Sequence, residues 1–527
     1  MQLSWKIGAP LALLLLSACA HAPRAIQSTL PRPDALHVDS DTVYAEACGL
    51  ARARLPGSSH WVSVQPDGTL RYALLPSGDR VLDFSSAGYR GGGVALPQPL
   101  AVTTLAPTGR DDTAAIQAAL DAAAAMPLVH GMRGAVWLAP GIYHVSQTLY
   151  LRASGVVLRG SGSDLRGTTL SIEGAPRTAI VVQGEGKWSP VGEPVDIVDA
   201  YVPVGARNVH VASAESFGIG DEVVVLRPIT RAWVHFMGMD KLRRNGARET
   251  WLAPNRVMQI DRVVTGKMGN QITLDAPLPD ALDRRWLQPK GARIVRYTFD
   301  GRIDRVGIES LRVVAPKRRT SNDKPFFTGV TFDAITNGFM RDMVFEELTA
   351  GIVLGETSKW ITVQDVTLRR TAIIDGGAGY PFMISVYGQQ TLVQRCHTIG
   401  DRAFSYATQV FAVGPNVVLD FRADGEERNE LEPHQRWGTG LLVDNAHVST
   451  GIDLHNRGIM GTGHGWTMGF GVIWNSEAAR ISVQYPPNAP NWSIGSLGEH
   501  VEITPMGSDV VQPVGIVDAP GTRVAPD

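Results

Sequence analysis

The chain has 527 residues, a formal net charge of -2, 56 glycines and 7% aromatic residues. That length supplies core for one large domain or several smaller ones. The near-neutral balance, with no basic stripe or tail, argues against nucleic acid as a partner. High glycine without low complexity predicts many turns and so many short strands.

Residues 1–19 read as a targeting segment. Lys6 supplies positive charge, and Leu11 to Leu16 form an apolar run too short to span a bilayer permanently. Leu16-Ser17-Ala18-Cys19 resembles a bacterial lipobox. The resemblance implies lipidation of Cys19. Ala20, where no aspartate stands, suits sorting to the outer membrane. The expected location is therefore the outer membrane, periplasm or cell surface of a Gram-negative bacterium, with the lipid as the only membrane contact. The alternative is an ordinary secretory signal with Cys19 incidental. Residues 20–34 read as a tether. Cys48 and Cys396 could pair, but two buried free thiols is the preferred reading.

Residues 35–201 read as an N-terminal cap and first turns. Val81-Leu-Asp-Phe84 reads as a strand, followed by a loop ending in three glycines. No GxxxxGK[ST] or GxGxxG pattern opens a helix there, so a phosphate cradle is rejected. Asp112 is placed to cap an alanine-rich helix in which Ile116 and Leu120 share one face. Gly134 to Val145 reads as strand, turn, strand, and Leu149 to Leu151 and Val156 to Gly160 continue in short strands. The succession DFSSAGYRGGG, GRDDTAAIQAALDAA, GAVWLAPGIYHV and GVVLRGSG resembles the N-terminal part of pectate-lyase-like proteins of the rhamnogalacturonase and epimerase type. The match is strong over Val81–Gly162 and looser to about Val483. It implies an all-β fold, a single-stranded right-handed parallel β-helix, to which the residues themselves add an N-terminal capping helix and an inserted β module. These motifs are structural in the family, so Asp111 and Asp112 are expected in a loop and a cap.

Residues 202–282 break the rhythm and read as the inserted module, a side lobe that could overhang a groove. Trp233 and His235, with Trp251, are candidate substrate contacts there. Packing of the insert onto the coil is the slightly favoured alternative. Residues 283–486 read as the main turns. Gly329-Val-Thr-Phe332 and Gly351-Ile-Val-Leu354 start alike at an offset of about 22 residues, which suits one turn of a parallel β-helix. Residues 487–527 read as a C-terminal cap and tail.

The chemistry-bearing residues concentrate between Glu432 and Trp466. His434 and Arg436 are two apart, and extended backbone would put them on one face with Trp437 on the other. His455 and Arg457 repeat the spacing, and stacked segments would make a cationic patch. Such a patch suits β-elimination beside a uronic acid. Arg436 and Arg457 would neutralise the carboxylate, His434 or His464 would take the proton, and the other histidine or Tyr387 would act as acid. Trp437, Trp466, Asp444 and His455 complete the expected substrate contacts, and the expected partner is an acidic polysaccharide or oligosaccharide. No cofactor is indicated, and no tidy aspartate cluster predicts Ca²⁺. Glycoside hydrolysis is the competing expectation and needs paired carboxyls, with Asp420, Asp424, Glu426, Glu427, Glu430, Glu432 and Asp444 as candidates. Most of these lie in a charge run that reads as a solvated loop. Gly463-His464-Gly465 resembles an element of polygalacturonase-type hydrolases, but the aspartates that should accompany it are missing. Polar bracing of the turns by Asn445, Asn456 and Asn475, and non-catalytic polysaccharide binding, are the remaining alternatives.

Overall fold

A computed structural model describes residues 57–526 apart from 373 and 375–378. Cys19, Cys48, the leader and the tether lie outside the described residues. No helix among the described residues is long and apolar enough to cross a membrane. The fold is a right-handed parallel β-helix whose turns each contribute to three parallel sheets.

Alternation fixes the inside of the coil. In the third sheet Leu149, Ile180, Val330, Ile352, Ile384, Tyr406, Leu431, Ile452 and Ile481 pair in register from rung to rung. All are fully buried, so this column is one wall of the core. Val330 with Ile352 and Phe332 with Leu354 have the 22-residue offset read from the sequence. The first and second sheets are served by long bent strands such as Phe339–Glu346 and Thr362–Arg369. Each bend is a single left-handed residue: Asp342 (φ 52°), Asp365 (55°), Arg395 (49°), Asp420 (51°), Asn445 (49°) and Asn475 (46°) lie at successive corners. Asp and Asn adopt this region more readily than most side chains. Asn445 and Asn475 thus turn the chain as well as brace it.

The helix Thr113–Ala124 covers the first turns, burying Ile116 and Leu120. Asp112 stands at the N-cap position, but its side chain makes no bond to the helix. Asp111 accepts from the Thr113 backbone N at 3.0 Å, whereas Asp112 accepts from Thr108 N at 3.0 Å. Before the helix, the chain runs back along the outside of the coil. Gly57–Ser58 pairs with Val524–Ala525 at the far end. Gly88 N then donates to Gln390 O at 2.8 Å, Tyr89 N to Thr362 Oγ1 at 2.8 Å, and Arg90 N to Asn337 Oδ1 at 3.0 Å. Ala101–Leu105 finally joins Gly134–Leu138 as the first rung. The triple glycine belongs to this strap. A Cβ on Gly92, at φ 84°, would stand 2.3 Å from Ser85 O.

The insert is larger than 202–282. Its antiparallel sheet runs Ser189–Asp196, Arg293–Thr298, Glu222–Pro228, Val257–Met268, Gln271–Leu274, Asn208–His210. It packs on the corner between the third and first sheets through a second hydrophobic cluster. A buried polar hub lies at the junction. Asp261 receives Lys359 Nζ at 2.8 Å, Tyr297 OH at 2.9 Å and Arg302 Nη1 at 3.1 Å. Burial works to raise the Asp261 pKa, but Lys359 and Arg302 hold it well below the usual carboxylate range. Cys396 is a buried free thiol, pushed up to about 12 by burial.

Candidate active site

Because Leu431, Ile452 and Ile481 point inward, their neighbours Glu430, Glu432, Asp453, Arg480 and Ser482 point out of the third sheet. Outward carboxylates are ordinarily solvated. Here Glu430 is 4% exposed, Glu432 5% and Asp453 1%. Three carboxyl groups on neighbouring rungs are thus withdrawn from water on one outer face.

Their partners divide them. Glu432 Oε1 meets His455 Nε2 at 2.9 Å and lies 3.0 Å from Arg457 Nε. Burial works to raise the Glu432 pKa, yet Arg457 and His455 hold it low and the group stays ionised. Asp453 goes the other way. Burial, reinforced by the Glu432 charge, raises it against the pull of His455 and Arg480. Arg480 Nη2 donates to Asp453 Oδ2 at 2.7 Å and to Glu430 Oε1 at 3.2 Å. The second oxygens, Asp453 Oδ1 and Glu430 Oε2, are buried without a protein partner, as is Ser482 Oγ between them and the next rung. Buried polar atoms are nearly always satisfied, so these oxygens take a partner from outside the chain, water or a ligand.

His434, His464 and Arg457 are brought together beside this floor. The two imidazoles meet edge to face at 4.6 Å, and Arg457 Nη1 donates to His434 O at 2.9 Å. Phe382 and Phe404, stacked at 5.0 Å, flank His434. Burial first, then the neighbouring cationic groups, lowers both imidazoles to about 3, so both are neutral near pH 7. The two His-x-Arg segments meet, but no cationic patch results, because Glu432 neutralises Arg457. The segment is not extended either. Arg436 and Trp437 are left-handed (φ 53° and 63°), and Arg436 spends its guanidinium on Thr462 O (2.7 Å) and Oγ1 (2.6 Å). Tyr387 is half-buried and raised by burial, a poor proton donor.

Several expected substrate contacts pack the structure instead. Trp233 and Trp251 stack at 5.1 Å, and Trp437 stands edge-on to both. Trp437 Nε1 donates to Asp280 Oδ2 at 2.8 Å, and Trp466 Nε1 to Met237 O at 3.1 Å. All four indoles are buried between insert and coil, out of reach of a sugar ring. Asp444 ends a first-sheet strand, around the corner from the site. His235 is exposed on the insert and pairs with Asp240 at 2.8 Å. His455 is present at the site, as a buried partner of a carboxylate. Gly461 allows the close approach of His464: a Cβ there would sit 2.1 Å from its Nε2. The insert reaches this turn, where Arg244 Nη1 donates to Gly461 O. Among the described residues, no group of three His, Cys, Asp or Glu side chains is placed to hold a metal ion.

Asp453 and Arg480 were missed from the sequence. Ser-Thr-Gly-Ile452-Asp-Leu454-His alternates, and that alternation alone puts Asp453 and His455 outward together.

No family model and no curated protein matches the chain. Solved structures similar to it include the tailspike gp49 of Pseudomonas phage LKA1, at 12% identity and TM-score 0.38, over 74% of this chain and 69% of that one. The tailspike of E. coli bacteriophage HK620 in complex with pentasaccharide aligns at 11% and 0.38, over 84% of this chain and 62% of that one. The gp54 tailspike of Acinetobacter baumannii bacteriophage AP22 in complex with capsular saccharide aligns at 9% and 0.29, over 77% and 71%. Likeness at this level bears on neither site nor substrate.

Proposed function

We propose that the chain is a carbohydrate-active enzyme that cleaves an acidic polysaccharide on the third sheet, by hydrolysis. The observation that carries this reading is the trio of outward but buried carboxyls, one held ionised and one raised by burial to about 6. Pairs of titratable groups driven apart in this way supply acid and base at one pH. Asp453 donates its proton to the glycosidic oxygen. Glu430, with one oxygen unpartnered, takes the proton of the attacking water. Glu432 is fully engaged by His455 and Arg457, and its charge adds to the rise that burial gives Asp453. The resemblance of the N-terminal motifs to pectate-lyase-like proteins supports a polysaccharide as substrate. The leader and Cys19 would hold the enzyme at the outer membrane by its lipid.

A second reading, β-elimination with His434 and His464 as base and acid, is favoured by the contact between the two neutral imidazoles. One experiment separates them. The protein is incubated with a panel of acidic polysaccharides while reducing ends and ultraviolet absorbance of an unsaturated product are followed together. Hydrolysis gives reducing ends alone, with chelator leaving the rate unchanged. Absorbance rising with reducing ends, and lost on His434→Ala with His464→Ala, would replace hydrolysis by elimination.

A further inference from the structure

Arg480 is the outermost member of the trio it forms. Its side chain is 38% exposed, against 6% for Glu430 and 1% for Asp453. It starts one rung beyond Asp453 and reaches back to Glu430 on the rung before. To do so it lies across Gly451, its partner in register. A Cβ on Gly451 would stand 2.9 Å from Arg480 Cζ and 3.0 Å from its Nε. The strand therefore leaves out a side chain where the guanidinium crosses. Beneath it, Asp453 Oδ1 and Glu430 Oε2 are buried and have no protein partner.

We propose that Arg480 is an anion-operated latch over the carboxyl floor: a carboxylate of the substrate takes its guanidinium from Asp453 and Glu430, and so opens the floor only to acidic glycans. This rests on the hydrolytic reading of the same site. Guanidinium binds planar carboxylates in a two-pronged fashion. Exchanging two buried carboxyls for one substrate carboxylate keeps the cation paired throughout. The groups facing Asp453 are Glu430 and Glu432 from the preceding rung, His455 on its own strand and Arg480 from the next. Arg480 is the one that a ligand can lift away. Its departure removes a cation that favours ionised Asp453, so the acid holds its proton more firmly once the substrate's charge is engaged. A neutral glycan cannot make the exchange and meets a closed floor.

The test compares an acidic polysaccharide that the enzyme cleaves with the same polymer after chemical reduction of its carboxyls. The proteins are the wild type, Arg480→Gln and Gly451→Ala. The last keeps the arginine and displaces it from its bed. Binding of oligosaccharides too short to be cleaved, taken from both polymers, is measured in each protein, together with the pH profile of kcat/KM on the polymers. Expected is an affinity preference of the wild-type latch for the acidic oligosaccharide of about tenfold or more, lost with Arg480→Gln. The alkaline limb of kcat/KM should move to higher pH in both latch variants, because Asp453 loses its cation. Equal affinity for the two oligosaccharides with Arg480 present, or an unmoved alkaline limb, overturns the latch. Full cleavage by Asp453→Asn would instead overturn the hydrolytic reading, a result distinct from either.

Discussion

Replacing Lys359 by Met tests how the insert is held to the coil. Lys359 is 1% exposed, and its Nζ lies 2.8 Å from Asp261 Oδ1, itself wholly buried. Removing one partner of a buried ion pair costs about 3–5 kcal/mol, because the other charge remains desolvated. Asp261 keeps Arg302 and Tyr297 on its second oxygen, which places the expected loss at the lower end, about 3 kcal/mol. Urea unfolding followed by tryptophan fluorescence reads it, since Trp188, Trp233 and Trp251 lie in the insert. The single variant Asp261→Asn should cost a similar amount, because it strands Lys359 and Arg302. The double variant Lys359→Met with Asp261→Asn should lose less than the two losses summed, since Lys359 is no longer left uncompensated, although Arg302 still is. Additive losses, or a Lys359→Met protein within about 0.5 kcal/mol of wild type, would refute the claim that this pair anchors the insert.

Further predictions follow from the site and the leader. Because His464 is lowered to about 3 in the fold, the unfolded chain binds the extra proton below about pH 6.5, and stability falls as pH drops. His464→Gln should recover up to about 3 kcal/mol at pH 4 and nothing at pH 8, read by denaturant midpoints. Asp453 has the opposite sign. Its raised pKa means that stability falls as pH rises through it, and the ionised buried carboxyl then remains a cost. Asp453→Asn should therefore raise Tm at pH 8 more than at pH 5 while abolishing cleavage, the trade of activity against stability that polar sites show. Cys19→Ser should move the protein from the membrane fraction to the soluble fraction of the producing cell. Retention in the membrane would count against the lipid anchor.

The coil was legible because its signal is periodic. The 22-residue offset between the strands starting at Gly329 and Gly351 is the register of Val330 on Ile352. The site was half legible. His434, His464 and Arg457 do converge, and rare residue types pointed to them. Their charge state was not readable: burial and neighbouring cations neutralise the imidazoles, and Arg457 is offset by Glu432, which the sequence placed in a solvated acidic run. A run of carboxylates looks the same on a loop and on an outward strand face. Only the inward neighbours Leu431 and Ile452 tell them apart. The tryptophans misled for a related reason. An indole suits a sugar face and a buried corner equally well, and the insert supplied the corner.

The strap along the outside of the coil bears on how the molecule comes apart. A stack of rungs that touch only their neighbours can fray from either end, one rung at a time. Here Gly57–Ser58 is hydrogen-bonded beside the last strands, and the same segment goes on to start the first rung. Peeling the last rung exposes the strap, and lifting the strap loosens its anchors at Gln390, Thr362 and Asn337. End-fraying is thereby converted into a shared event, and hydrogen exchange in the terminal rungs should report an opening free energy closer to that of the middle. The strap also has to wait: it is synthesised first, but its docking sites at the far end exist only once the final turns have been made.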